Sequence, residues 1–122
     1  QGVRLIAIHR NRFWQTDHGL RMDIGGFVAA LEYCSGRDAV VMGKPSPDFF
    51  RVALRDMGLD AGEVAIVGDD VEADVGGAQR VGIFGILVRT GKFRAAAVDA
   101  SPVRPDAVLD SVRELPAFLG LP

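Results

Sequence analysis

Glu63-Val64-Ala65-Ile66-Val67, running without a break into Gly68-Asp69-Asp70-Val71-Glu72-Ala73-Asp74, is the stretch that decides the fold. The first five residues are apolar and branched after Glu63, which reads as a strand. The acidic loop that follows opens a helix over residues 71–81, closed by Gly82. A second apolar run, 83–88, comes straight after. Neither run alternates apolar with polar residues, so both are expected to be covered on two faces, as in a parallel sheet.

Working outward, residues 3–8 (VRLIAI) form a first expected strand and 9–19 a polar loop containing Phe13 and Trp14. Over 24–34, Phe27, Val28, Leu31 and Cys34 recur at helical spacing, and Ser35-Gly36 closes the helix. A short strand at 39–42 leads to the turn Gly43-Lys44-Pro45. Ser46 then caps a helix with Pro47 at its first position, where the missing N–H costs nothing. That helix is expected to bury Phe49, Phe50, Val52, Ala53, Leu54 and Met57 and to stop at Gly58. Downstream, 90–101 reads as loop or short helix, 107–109 as a strand, and 111–119 as a closing helix interrupted by Pro116. Strands alternating with helices make the class α/β.

Composition narrows the function. The 122 residues carry 14 Lys+Arg against 16 Asp+Glu, a formal net charge of −2, with 48% apolar and 25% charged residues. That is no electrostatic footprint for nucleic acid and too apolar for disorder. No apolar run approaches the roughly 20 residues of a membrane helix. One cysteine, Cys34, makes no internal disulfide and is expected to be a small buried hydrophobe. A cytoplasmic setting is the expectation. The chain opens on Gln1, just ahead of the apolar segment at Val3, which raises the expectation of a longer parent chain.

Two clusters carry chemistry. Asp69, Asp70, Glu72 and Asp74 crowd four carboxylates at the carboxyl end of a buried strand, the edge where open α/β sheets bind ligands. Helix-dipole attraction offsets only about 0.3–1 kcal/mol per charge, whereas a hard cation such as Mg²⁺ would neutralise the group. Asp69 is then the first candidate ligand, with Asp74 a second ligand or a holder of metal-bound water. The plainer alternative is a solvated acidic turn in which Asp70 caps the helix. Gly76 and Gly77, each costing about 1 kcal/mol in a helix relative to Ala, indicate something pressed against that backbone. Lys44 sits at another strand-to-helix turn, where an ammonium suits phosphate or holds a neighbouring carboxylate ionised. A solvated turn lysine is the alternative there.

The pair Gly43-Lys44-Pro45-Ser46-Pro47 and Val67 through Gln79 resembles the third and fourth motifs of the haloacid dehalogenase-like phosphatases. Leu5-Ile6-Ala7-Ile8-His9 through Ala30-Leu31-Glu32-Tyr33 is similar to the branch with a large α/β cap inserted before the third motif. Within that branch the similarity is greatest to phospholysine phosphohistidine inorganic pyrophosphate phosphatases and their near relatives. The resemblance implies a parallel Rossmann-like sheet with flanking helices. Residues 1–36 would be the end of the cap and its return to the core, and 37–122 the C-terminal half of that core. It also implies a Mg²⁺-dependent phosphohydrolase acting through an aspartyl-phosphate on a small substrate: a phosphate monoester, a P–N bond or pyrophosphate. Lys44 would be catalytic and bind phosphate; Asp69 would bind Mg²⁺, with Asp70 and Asp74 supporting; His9 would touch substrate.

The family's first motif, Asp-x-Asp, and its second, a Ser or Thr after another strand, have no counterpart here. Asp23 precedes Ile24-Gly25, and Asp110-Ser111 comes too late. The chain is therefore expected to be a fragment without the nucleophile, inactive alone. The first-motif strand would flank the strand at 63–67, so its absence leaves an apolar edge open to homo-oligomerisation. A non-catalytic cation- and phosphate-binding fragment or interaction module is the second reading. A polymerase-type Gly-Asp-Asp is the third, opposed by the helix that follows and by the net charge. His9, Arg10, Asn11 and Arg12 together read as a solvated basic loop, with contact to substrate the alternative for all four, and Phe13 and Trp14 read as packing between cap and core. Arg89, Lys92 and Arg94 stand where they would frame a pocket mouth.

Overall fold

The structure is a computed structural model and describes residues 3–121. Strand β5 (Ala65–Gly68) pairs in parallel with β6 (Phe84–Val88), and β6 pairs in parallel with β7 (Ala107–Leu109). A separate parallel pair joins β1 (Ile6–Ala7) to β4 (Val40–Val41). The parallel α/β reading holds, but the parallel strands fall into two groups. Among the described residues β5 has no strand partner on the side away from β6. No helix of the described residues is long and apolar enough to cross a membrane.

The expected loop at 9–19 is instead part of an antiparallel hairpin, β2 (Phe13–Thr16) with β3 (Gly19–Met22). Thr16 Oγ1 donates to the Gly19 carbonyl at 2.8 Å, and Gly19 takes a φ of +101° that an L side chain rarely adopts. The turn between the strands, Asp17-His18, carries no strong hairpin sequence, and Gly19 after it is the one signal. Strand 3–8 is shorter than expected, at two residues.

Helix α1 (Gly25–Ser35) and helix α2 (Pro47–Met57) stop where expected, each on a left-handed glycine, Gly36 and Gly58. Ser46 is the residue ahead of α2, but its side chain makes no capping hydrogen bond. Of α2's apolar residues only Phe50 is buried; Ala53 and Leu54 are half-buried, and Phe49, Val52 and Met57 are exposed. On α1 only Val28 of the apolar set is buried, and Cys34 is exposed. The burial expected of Cys34, Phe49, Val52 and Met57 is absent for one reason. Apolar spacing identifies the side a helix presents to a core, and among the described residues nothing covers most of that side.

The helix expected over 71–81 divides into a π-helical turn, Val71–Gly76, and a short α3, Gly77–Gln79. Val75 N–H reaches back to the Asp70 carbonyl at 3.4 Å, the wide closure that makes the turn. Close approach explains the paired glycines. A Cβ on Gly77 would stand 2.7 Å from the Phe50 ring and 3.0 Å from Pro45 Cα, and one on Gly76 2.7 Å from Val103. The start of α3 is therefore packed directly on α2 and Pro45, and the end of the turn on Val103.

Two buried clusters flank this turn. Phe50, Ala78 and Ile83 pack with Leu54, Val64 and Ile66. Val71, Val75 and Leu87 pack with Phe93, Val98 and Val103. Beyond β6, α4 (Ala95–Ala100) supplies the short helix expected in 90–101, and α5 (Leu115–Phe118) is all that Pro116 leaves of the closing α-helix.

Candidate active site

Three chain segments end at one cleft of about 230 Å³: the loop after β1, the turn after β4, and the loop after β5. Ending parallel strands at one edge gathers side chains from distant sequence positions, and His9, Lys44, Asp69, Asp70 and Asp74 all line this cleft. All five expected site residues are thus brought together. Asn11 and Lys92 line it as well. Their signal in the sequence was positional only, each falling just past a strand end.

Lys44 and Asp74 form the centre. Lys44 Nζ lies 2.6 Å from Asp74 Oδ1, across 30 positions of sequence. Asp74 is only 5% exposed, and its other oxygen, Oδ2, accepts the Asp70 backbone N–H at 3.1 Å. Both oxygens of this buried carboxylate are therefore committed. The π-helical turn is what brings Asp74 back toward the end of β5.

Asp70 does what the plainer alternative proposed. Its Oδ1 accepts the N–H groups of Glu72 and Ala73, at 3.1 and 2.9 Å, capping the turn. Asp69 is fixed by Oδ2, which accepts the Lys92 backbone N–H at 2.8 Å. Gly91 makes that approach feasible: its φ is +57°, and a Cβ there would collide with Asp69 Oδ2. Asp69 Oδ1 and Asp70 Oδ2 make no hydrogen bond among the described residues, whereas Asp74, expected as a second metal ligand, faces the lysine. No three acidic, histidine or cysteine side chains form a metal-sized group among the described residues.

His9 is partly exposed. Its Nδ1 accepts the Asn11 N–H at 3.4 Å, and its Nε2 stands 3.9 Å from Asp23 Oδ1. Arg10 turns away to Glu32 at 2.5 Å, and Arg12 lies over Phe13. Arg89 also leaves the cleft, pairing with Asp110 at 2.7 Å. Phe13 and Trp14 are half-exposed on the hairpin.

The family model described as HAD-hydrolase-like matches residues 41–115, from β4 through the lysine turn and acidic loop. The chain belongs to the haloacid dehalogenase-like hydrolases. It is 44% identical over 110 residues to the phospholysine phosphohistidine inorganic pyrophosphate phosphatase of Rattus norvegicus, covering 90% of this chain and 41% of that one. Its structure superposes on the p-nitrophenyl phosphatase from Archaeoglobus fulgidus with a TM-score of 0.86 at 32% identity, over 95% of this chain and 46% of that chain. A glycerol phosphate phosphatase from Mycobacterium tuberculosis, solved in complex with magnesium, matches with a TM-score of 0.81 at 33% identity, over 93% and 35% of the two chains. The chain thus spans about two fifths of the curated relative's length.

Proposed function

We propose that these 122 residues carry the lysine and cation-binding part of a Mg²⁺-dependent phosphohydrolase acting on a small phosphorylated substrate in the cytoplasm. The observation that carries this reading is the Lys44–Asp74 pair set beside Asp69 in one cleft. Asp74 holds the ammonium in place, and the protons of Lys44 not given to Asp74 are donors for phosphoryl oxygens. Asp69 Oδ1 and Asp70 Oδ2 would hold Mg²⁺. Two carboxylates with water completing the shell suit that ion, and the donor set is all oxygen. When bound, Mg²⁺ would neutralise charge on the transferring phosphoryl group. His9 lines the same cleft, with its Nε2 on the side of Asp23. Such chemistry is positioning and electrostatics, which these side chains supply.

No Asp-x-Asp stands in the sequence, so the attacking carboxylate of the family's chemistry lies outside these 122 residues. The chain alone would then bind without turnover, and on this point the binding-fragment reading coincides with the enzymatic one. The open edge of β5 would pair with a further strand, or with a second copy when this chain is studied alone.

Calorimetric titration with inorganic phosphate in Mg²⁺ tests the reading. Binding should require Mg²⁺ and should fail both in Lys44→Ala and in Asp69→Asn, while p-nitrophenyl phosphate is not hydrolysed. Phosphate binding indifferent to both substitutions would overturn the site. Turnover by this chain, abolished in Asp69→Asn, would overturn the external nucleophile.

A further inference from the structure

We propose that a second cavity, opening beside the phosphate cleft, binds an anionic group on the substrate's leaving portion, with Arg94 as its principal contact. This rests on the phosphohydrolase reading of the cleft and adds the substrate class: a phosphorylated small molecule bearing a second negative charge. The cavity measures about 220 Å³ and shares Asp70 and Lys92 with the cleft, so the two adjoin and a ligand held at Lys44 can extend into it. Phe13, Gln15 and Leu20 of the hairpin form one wall, and Lys92 and Arg94 the other.

The electrostatics are one-sided. Neither Lys92 nor Arg94 is ion-paired with a carboxylate among the described residues, although Arg10, Lys44, Arg51 and Arg89 all are. The one acid in the wall, Asp70, accepts two backbone N–H groups through Oδ1, and its Oδ2 is the atom that would face Mg²⁺ in the cleft. Arg94 is nonetheless fixed in place: it donates to the carbonyls of Phe93 and Gly91, at 2.7 and 3.2 Å, and to Gln15 Oε1 at 3.2 Å. All three acceptors are uncharged, so the guanidinium keeps its full charge, and its remaining N–H donors can take a carboxylate or phosphate. Phe13 and Leu20, half-exposed or more, offer apolar surface for the stem that links the two anionic ends. A neutral tail would gain only that surface.

A purely structural role for Arg94, stapling the hairpin to the loop after β6 through Gln15, predicts no ligand selectivity. The two are separated by calorimetric titration of the chain with phosphonobutyrate and butylphosphonate in Mg²⁺, ligands that differ only in the terminal carboxylate. The carboxylate should improve affinity about threefold, the scale of a solvent-exposed ion pair. Arg94→Ala should erase that preference, and Gln15→Ala, which removes the staple and keeps the cation, should retain it. A preference that survives Arg94→Ala, or is lost equally in Gln15→Ala, overturns the subsite. Lys44→Ala should weaken both ligands together; if it changes neither while a preference persists, the phosphate-cleft reading fails instead.

Discussion

The two ends of this chain are built to different standards. In the β5–β6–β7 unit, Val75, Ala78, Ile86 and Leu87 are fully buried. In the N-terminal third, Ile6, Ile8, Leu20, Met22, Phe27 and Leu31 are all more than half exposed, although they are no less apolar. Hydrophobicity alone therefore does not make a core. What distinguishes the C-terminal unit is a second layer, the turn at 71–76 with α2 and α4, that covers its sheet. The difference also sorts the site: the acidic loop sits on the packed unit, Lys44 reaches Asp74 from the turn after β4, and His9 and the hairpin walls approach from the sparsely packed end.

The largest expected effect breaks the comparison directly. Leu87→Ala should cost about 2–5 kcal/mol of stability, because the cavity left in a closed core cannot collapse. Leu20→Ala should cost under about 0.5 kcal/mol. Urea midpoints of the two variants check this, and equal losses would mean that the N-terminal residues are covered in solution.

Gly77→Ala comes next. The added methyl must displace the Phe50 ring or the Pro45 backbone, which should cost about 1–3 kcal/mol by overpacking. Phosphate binding should weaken with it, since Pro45 follows Lys44. Retained stability would show that the turn and α2 are less tightly apposed than described.

The smallest effect lies far from the site, at the junction of β6 and β7. The Gln79 amide, and then the Gly85 N–H, hold the Asp106 carboxyl below its ordinary value of 3.8, with a small opposing contribution from burial. Because the folded form releases this proton more readily than the unfolded one, the stabilisation is complete above about pH 5 and fades as pH falls through the folded value. Asp106→Asn should flatten that acid limb slightly, as read from thermal midpoints across pH 3 to about 6. An unchanged limb would remove Asp106 from the account.

The packed unit was also the legible one. Uninterrupted apolar runs at 63–67 and 83–88 predicted parallel strands, and the acidic loop with Lys44 predicted the residues that meet in the cleft. Asp70 and Asp74 show where spacing stops being informative. The sequence placed both beside a metal ion, but only the π-helical closure turns Asp74 onto Lys44, while Asp70 caps the turn through Oδ1 and keeps Oδ2 free of hydrogen bonds among the described residues. The hairpin escaped notice because Phe13–Thr16 mixes apolar and polar residues without a clear period, and its turn signal is a lone Gly19. The burial expected of Cys34, Phe49, Val52 and Met57 failed because periodicity marks a side of a helix, not what covers it.

Amide hydrogen exchange, with and without Mg²⁺ and inorganic phosphate, tests the central claim most directly. The account predicts slowed exchange at residues 43–46, 68–75 and the Lys92 N–H, with the hairpin at 13–22 unchanged. Unaltered exchange throughout, or slowing confined to the hairpin, would contradict it.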